Sequence, residues 1–449
     1  MRTRLGPCLL IAAMLTLCAA ATAQAQHDGG ADWPRFGGPQ GDFTSPEVGV
    51  DLNWPEAGPP LKWKIELGEG YCAPAIAHGR MFVFDRVEGN VRLRCLKPDT
   101  GQVNWQYVYP SNFVDQYGYD GGPRAMPIVD EDRVYIFGPE GMLHCLSAID
   151  GSVLWKVDTA KQFGVVQNFF GVGAAPVIFK DKLIVQIGGS PPDSPPTISG
   201  RVKGNGSGIV AFDKRTGKVV YAITDELASY AAPTLAEIDG RPWCFVLARG
   251  GLVGFNPETG QVDFEFPWRS RKTESVNAAS PVVVDDHVLI SETYELGACL
   301  LKVKPGGYDV VWSDADKRTR HKSMMAHWAT PIVITGYAYG CTGRNSGGAE
   351  VRCIELATGK VMWSQPGLGR TRLLGVHGKL IVLGEYGQLV SIRATPEKFD
   401  VIAQAAPTGA DGERLIEYPA WASPVLSHGL MYVRSKGRLV CFDLKGQQP

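Results

Sequence analysis

The sequence predicts an all-β fold built from repeats, and three observations carry that prediction. One phrase recurs along the chain: Arg94-Cys-Leu-Lys-Pro-Asp-Thr-Gly-Gln-Val-Asn-Trp105, His144-Cys-Leu-Ser-Ala-Ile-Asp-Gly-Ser-Val-Leu-Trp155, Val210-Ala-Phe-Asp-Lys-Arg-Thr-Gly-Lys-Val-Val-Tyr221, and Val351-Arg-Cys-Ile-Glu-Leu-Ala-Thr-Gly-Lys-Val-Met-Trp363, with a looser copy at Val253–Phe264. A second phrase, a small pair followed by proline, opens each unit: Cys72-Ala-Pro74, Ala125-Met-Pro127, Ala174-Ala-Pro176, Ala231-Ala-Pro233, Ala279-Ser-Pro281, Ala329-Thr-Pro331 and Ala422-Ser-Pro424. Finally, 54 Gly and 31 Pro punctuate short Val/Ile/Leu/Tyr runs, with little helical periodicity past the N-terminal leader.

One unit start is degenerate, near Leu374, which brings the number of units to eight. Pro74 and Pro424 lie 350 residues apart, or 50 per unit over seven intervals. That length suits one four-stranded antiparallel sheet per unit, so the expected architecture is an eight-bladed β-propeller. A proline at the start of an innermost strand costs no ladder hydrogen bond, because that strand borders the channel. The eighth unit runs through Arg438-Leu-Val-Cys-Phe-Asp443 without a following turn and aromatic strand. Leu61–Leu67 has the character of that missing strand, so the ring is expected to close by pairing it with the last blade, which leaves no dangling edge.

Within each unit the turn glycine serves as a ruler. Four residues after Gly101, Gly151, Gly217, Gly260 and Gly359 stand Trp105, Trp155, Tyr221, Phe264 and Trp363. Trp63, Trp105, Trp155, Tyr221, Trp312 and Trp363 are therefore expected to be apolar plates on outer strands that dock onto the neighbouring sheet. Six residues before the same glycines stand Cys95, Cys145, Ala211, Gly254 and Cys353, small residues that suggest a close approach of two sheets.

Residues 1–25 read as a secretory signal, with Arg2 and Arg4, an apolar run over Leu9–Ala20, and an Ala23-Gln-Ala25 cleavage site. Lipid anchoring at Cys18 is disfavoured by the bulky Leu17 beside it, and the apolar run is shorter than the roughly 20 residues of a membrane span. Residues 26–60 form a Pro/Gly-rich lead-in expected to be irregular, and 61–449 a single propeller domain. The expectation is an exported, monomeric protein of the periplasm or cell envelope, with no transmembrane segment. Net charge is −1, and −3 once Arg2 and Arg4 leave with the signal; no basic stripe is present, which argues against nucleic acid as a partner. Of the ten cysteines, Cys95, Cys145, Cys353 and Cys441 share one repeat position and read as small buried hydrophobes. A bridge among Cys72, Cys244, Cys299 and Cys341 is left open.

The Ala-x-Asp-x-x-Thr-Gly-Lys-x-x-Trp-like phrase resembles the repeat of the PQQ-like eight-bladed β-propellers, over about residues 61–444. That family includes quinoprotein alcohol dehydrogenases and the propeller lipoprotein of the outer-membrane β-barrel assembly machinery. Its dehydrogenases stack pyrroloquinoline quinone between a tryptophan and a disulfide of adjacent cysteines, beside calcium. This chain has no Cys-Cys pair and no C-x-x-C-H haem motif, so the resemblance implies the fold more strongly than the quinone chemistry.

The remaining candidate site is the axial funnel, lined by residues just before the start prolines. Three residues upstream stand Tyr71, Arg124, Tyr230, Trp328 and Trp421, and one further back Asn277 and His327. Aromatics, a guanidinium and an imidazole converging on one mouth could bind a planar anion or a sugar; equally, they could plug the axis. Asp115, Asp120, Glu292 and Glu295 read as solvated carboxylates of turns and strand ends, and no metal site or catalytic constellation is indicated. The expected function is a non-catalytic binding or protein-assembly scaffold without a cofactor, meeting other envelope proteins through its faces and the loops Tyr109–Pro123, Gly189–Gly208 and Ala405–Tyr418. The alternatives are an oxidoreductase acting on alcohols or sugars with quinone and calcium, and a carbohydrate-binding propeller.

Overall fold

The computed structural model describes residues 30–165, 169–195 and 202–446. The signal sequence with Cys8 and Cys18, and part of the third-blade insertion, lie outside the described residues. Eight antiparallel sheets follow one another around an axis. The first blade is Ala75–Ala77, Arg80–Val87, Asn90–Leu96 and Val103–Pro110, from the innermost strand outward. Each start proline directly precedes its innermost strand, as Pro74 precedes Ala75 and Pro331 precedes Ile332. The degenerate unit is the seventh blade, where Thr371 takes the proline position before Arg372–Val376. The ring closes as expected: Leu61–Glu66 is the outer strand of the eighth blade and pairs antiparallel with Arg438–Asp443, Trp63 opposite Cys441.

The repeat phrase is the docking device between blades. Outer-strand rings lie against the turn glycine of the next blade: Trp63 on Gly101, Trp105 on Gly151, Trp155 on Gly217, Tyr221 on Gly260 and Trp312 on Gly359. Most also donate a hydrogen bond to a carbonyl of that blade. The Trp155 indole reaches Lys214 at 3.0 Å, Trp312 reaches Leu356 at 2.8 Å, Trp363 reaches Thr395 at 2.8 Å, and the Tyr221 hydroxyl reaches Pro257 at 2.9 Å. The Trp63 indole donates to Pro98 of the first blade, so the closing strand docks as the others do. The Trp105 indole nitrogen is the exception, being buried with no partner among the described residues.

The small residue lies between sheets as expected, Ala211 packing with Cys244 and Val246 of the next blade, and it has a second role. It faces the aromatic of its own blade across the strand pair, in the registers Cys95↔Trp105, Cys145↔Trp155, Ala211↔Tyr221, Gly254↔Phe264 and Cys353↔Trp363. A Cβ at Gly254 would lie 2.5 Å from the Phe264 ring, which shows what a larger residue would displace. A β-bulge beside this pair recurs between the two outer strands of the blades and adds to their twist. All eight described cysteines are free and buried, including Cys72, Cys244, Cys299 and Cys341.

The lead-in is more ordered than its composition suggested. Thr44–Ser45 adds a short parallel strand to the seventh blade, and Trp33 exchanges backbone hydrogen bonds with Ile76 of the first. Pro34 accepts from the Val129 amide of the second blade. The buried Glu47 carboxylate accepts from the His428 and Gly429 amides of the eighth. Four neighbouring blades are thus tied together at the ends of their innermost strands, across the seam where the ring closes.

Candidate functional site

The axial mouth lies at the opposite ends of those strands. There Trp421 is the hub: its ring centroid is 5.1 Å from Tyr71, 5.3 Å from Trp328 and 5.8 Å from Tyr119. The Arg370 guanidinium sits 4.9 Å from both Trp328 and Trp421. It is fixed by Glu385, whose buried carboxylate also accepts the Trp421 indole N–H at 2.8 Å. Burial pushes the Glu385 carboxyl up, but Arg370 and Trp421 outweigh it and hold the group below the ordinary carboxylate range.

The other half of the mouth is organised by Arg124. Its guanidinium lies 5.3 Å from the Tyr71 ring and 5.4 Å from Phe170, and makes a 2.8 Å ion pair with Asp115. Tyr230 packs against Phe170 and accepts its backbone N–H at 2.7 Å. Burial, reinforced by the Asp120 carboxylate, pushes the Tyr71 phenol well above its ordinary value. His327 lies 4.4 Å from Trp328 and 3.2 Å from the Tyr294 hydroxyl, with Nδ1 buried and without a hydrogen-bond partner among the described residues. Burial, together with Arg370 and Arg344, lowers its pKa to about 3 and keeps the ring neutral.

The structure brings together Tyr71, Arg124, Tyr230, His327, Trp328 and Trp421, but not Asn277. The Asn277 side chain is buried, and its amide donates to the Ala248 and Trp268 carbonyls at 2.7 and 3.0 Å. It is a loop anchor, because a buried amide must find backbone partners. Two carboxylates also depart from expectation. Asp115 is buried by its ion pair, and Glu292 is buried while accepting the Tyr294 and Leu296 amides; burial raises the Glu292 carboxyl.

Arg370, Arg372, Glu385, Tyr119 and Phe170 were missed by the sequence reading. The signal for the two arginines was the degenerate seventh start itself, since they flank Thr371, which replaces the proline. Tyr119 and Phe170 come from loops, where no periodicity marks them.

The rings fill the mouth by packing on one another. Below them an axial cavity of about 40 Å³ lies between Tyr71, Arg124 and Arg372 and the lead-in residues Trp33, Phe36 and Phe43. A larger cleft of about 470 Å³ lies off the axis, among loops of the first four blades, lined by Phe113, Glu140, Gln186 and Arg249. Glu140 is committed there to the Tyr109 and Ser111 hydroxyls, at 2.9 and 2.7 Å. Among the described residues, no group of three or more His, Cys, Asp or Glu could hold a metal ion.

The family described as Outer membrane protein assembly factor BamB matches residues 88–365. The chain belongs to this family. BamB of Moranella endobia is 20% identical over 314 residues, covering 65% of this chain and 69% of the relative. The crystal structure of BamB from Moraxella catarrhalis superposes with a TM-score of 0.56 at 15% identity, covering 88% of this chain and 100% of that one. Quinohemoprotein alcohol dehydrogenase from Comamonas testosteroni gives a TM-score of 0.61 at 14% identity, covering 93% and 81%. At such identities the two structures establish the shared fold, a PQQ-like β-propeller.

Proposed function

We propose that this protein is an exported, non-catalytic scaffold for the assembly of outer-membrane proteins, presenting its mouth face to envelope partners. The observation that carries the reading is the family match together with what fills the mouth. The inner rings are engaged with one another, while Tyr117, Tyr119, Tyr386 and Tyr418 around them remain 54%, 49%, 43% and 47% exposed. Tyrosine offers large rigid contact area at low entropic cost and is enriched in protein interfaces. Export rests on the leader at residues 1–25, and among the described residues no helix is long and apolar enough to cross a membrane.

The geometry gives the quinone reading little support. Trp421 is already covered by Tyr71, Trp328 and Arg370, and the cavity of about 40 Å³ beneath them is too small for a tricyclic quinone. The eight described cysteines offer separate buried thiols in place of a disulfide platform.

Photo-crosslinking tests the proposal, with a benzophenone amino acid placed singly at Tyr117, Tyr386 and Tyr418 in cells. Adducts with outer-membrane assembly proteins are expected from these positions and not from the outer strand at Val310. Adducts only from Val310 would refute the mouth as the docking face. Saturable calorimetric binding of pyrroloquinoline quinone with calcium, weakened by Trp328→Ala, would overturn the non-catalytic reading.

A further inference from the structure

The axial cavity beneath the mouth holds a charge with no counter-charge. Arg372, at the start of the seventh blade's innermost strand, donates from Nε to the Trp421 carbonyl at 2.7 Å and from Nη1 to the Trp328 carbonyl at 2.6 Å. It therefore joins the sixth, seventh and eighth blades through backbone oxygens, with its guanidinium 6.0 Å from the Trp328 ring. Among the described residues, no carboxylate lies within ion-pair distance of it, whereas Arg124 has Asp115 and Arg370 has Glu385. Its remaining nitrogen, Nη2, has no hydrogen-bond partner among the described residues.

Arg372 and Arg124 both line the cavity, with Tyr71, Trp33, Phe36 and Phe43, and none of the described lining residues is acidic. Desolvation lowers the Arg372 pKa to about 9, and the half-buried guanidinium remains charged at neutral pH. A half-buried charge without a protein partner favours the arrival of a counter-ion, and the described wall presents guanidinium donors with no carboxylate acceptor. A lone water would accept one N–H but leave the charge uncompensated. A cavity of about 40 Å³ has room for a small ion and none for a bulky one.

We infer that the axial cavity is a binding site for a single small monovalent anion of the chloride class, held by Arg372 and Arg124 under the aromatic plug. The anion compensates Arg372 and thereby fastens the seam where the sixth, seventh and eighth blades converge. This site is independent of any docking on the exposed mouth.

Bromide is the probe. Crystals of the mature protein grown in sodium bromide, with data collected at the bromine absorption edge, should show an anomalous peak in the cavity beside Arg372. In solution, Tm should rise as sodium chloride replaces sodium gluconate at constant ionic strength, and Arg372→Met should abolish that rise. No anomalous peak, with the cavity holding only water density, would overturn the inference even if Arg372→Met fails to fold. A chloride-dependent Tm that persists unchanged in a folded Arg372→Met protein would overturn it as well.

Discussion

The docking role of the turn glycine can be measured by comparing two glycines with the same backbone. Gly217 has φ +71°, and a Cβ there would lie 2.7 Å from the Trp155 ring. Gly240 has φ +72° but nothing within 4 Å of the same added atom. An alanine at either position carries the left-handed backbone cost of about 1–2 kcal/mol. Only Gly217→Ala also forces the indole or the turn to move, an overpacking cost of about 1–3 kcal/mol. Gly217→Ala should therefore destabilise by about 2–5 kcal/mol in all, and Gly240→Ala by about 1–2 kcal/mol. Urea unfolding followed by tryptophan fluorescence reads the difference from the midpoints at constant slope. In a Trp155→Ala background the ring is gone, so Gly217→Ala should cost no more than Gly240→Ala does. Equal effects of the two substitutions in the wild-type background would refute the claim that the glycine is required by the ring from the preceding blade.

Two further outcomes concern buried charge. Asp85 is fully buried in the first blade, accepting from Arg92 at 2.9 and 2.7 Å, Arg94 at 3.1 Å and the Gly68 amide at 2.8 Å. Burial raises this carboxyl, but Arg92, Gly68 and Arg94 outweigh it and hold the pKa below its ordinary value. Its stabilisation is thus present above the unfolded-state pKa of about 3.9 and lost as pH falls through the lower folded value. Asp85→Asn should cost about 3–5 kcal/mol at pH 7 and flatten stability measured below about pH 4; an unchanged acid limb would count against the pairing. His327 works in the same direction by another route. With a folded pKa of about 3, it takes up its proton chiefly on unfolding, so stability falls as pH drops from about 6.5 toward that value, by at most about 1.4 kcal/mol per unit. His327→Asn should reduce that slope in equilibrium unfolding between pH 6 and pH 4, and an imidazole NMR signal titrating near pH 6.5 would refute the neutral assignment.

Much of the propeller was legible because each blade faces the same local problem. A tight turn needs a left-handed residue, an inner strand tolerates proline, and an outer strand needs an aromatic, so the same residue types return at fixed spacing. The closing strand was legible for the same reason: Trp63 is an outer-strand aromatic that no repeat preceding it explains. The mouth was partly legible, since Tyr71, Arg124, Tyr230, Trp328 and Trp421 precede their innermost strands in the same way. Asn277 holds a neighbouring position, but the chain there turns its amide toward the Ala248 and Trp268 carbonyls, and spacing carries no record of that rotation.

By itself, then, the sequence determined the blade count, the order of strands, the closure and the family resemblance, because these follow from contacts between residues at constant separation. Only the tertiary structure decided which charges meet. Arg370 with Glu385, Arg124 with Asp115, and Arg372 with no carboxylate among the described residues are arrangements among side chains from loops and different blades. The tertiary structure also decided that Trp33 and Glu47 of the lead-in, far from Gly429 in the chain, tie down the seam. Such pairings depend on how the ring brings distant segments to one axis, a geometry that exists only once the blades have closed.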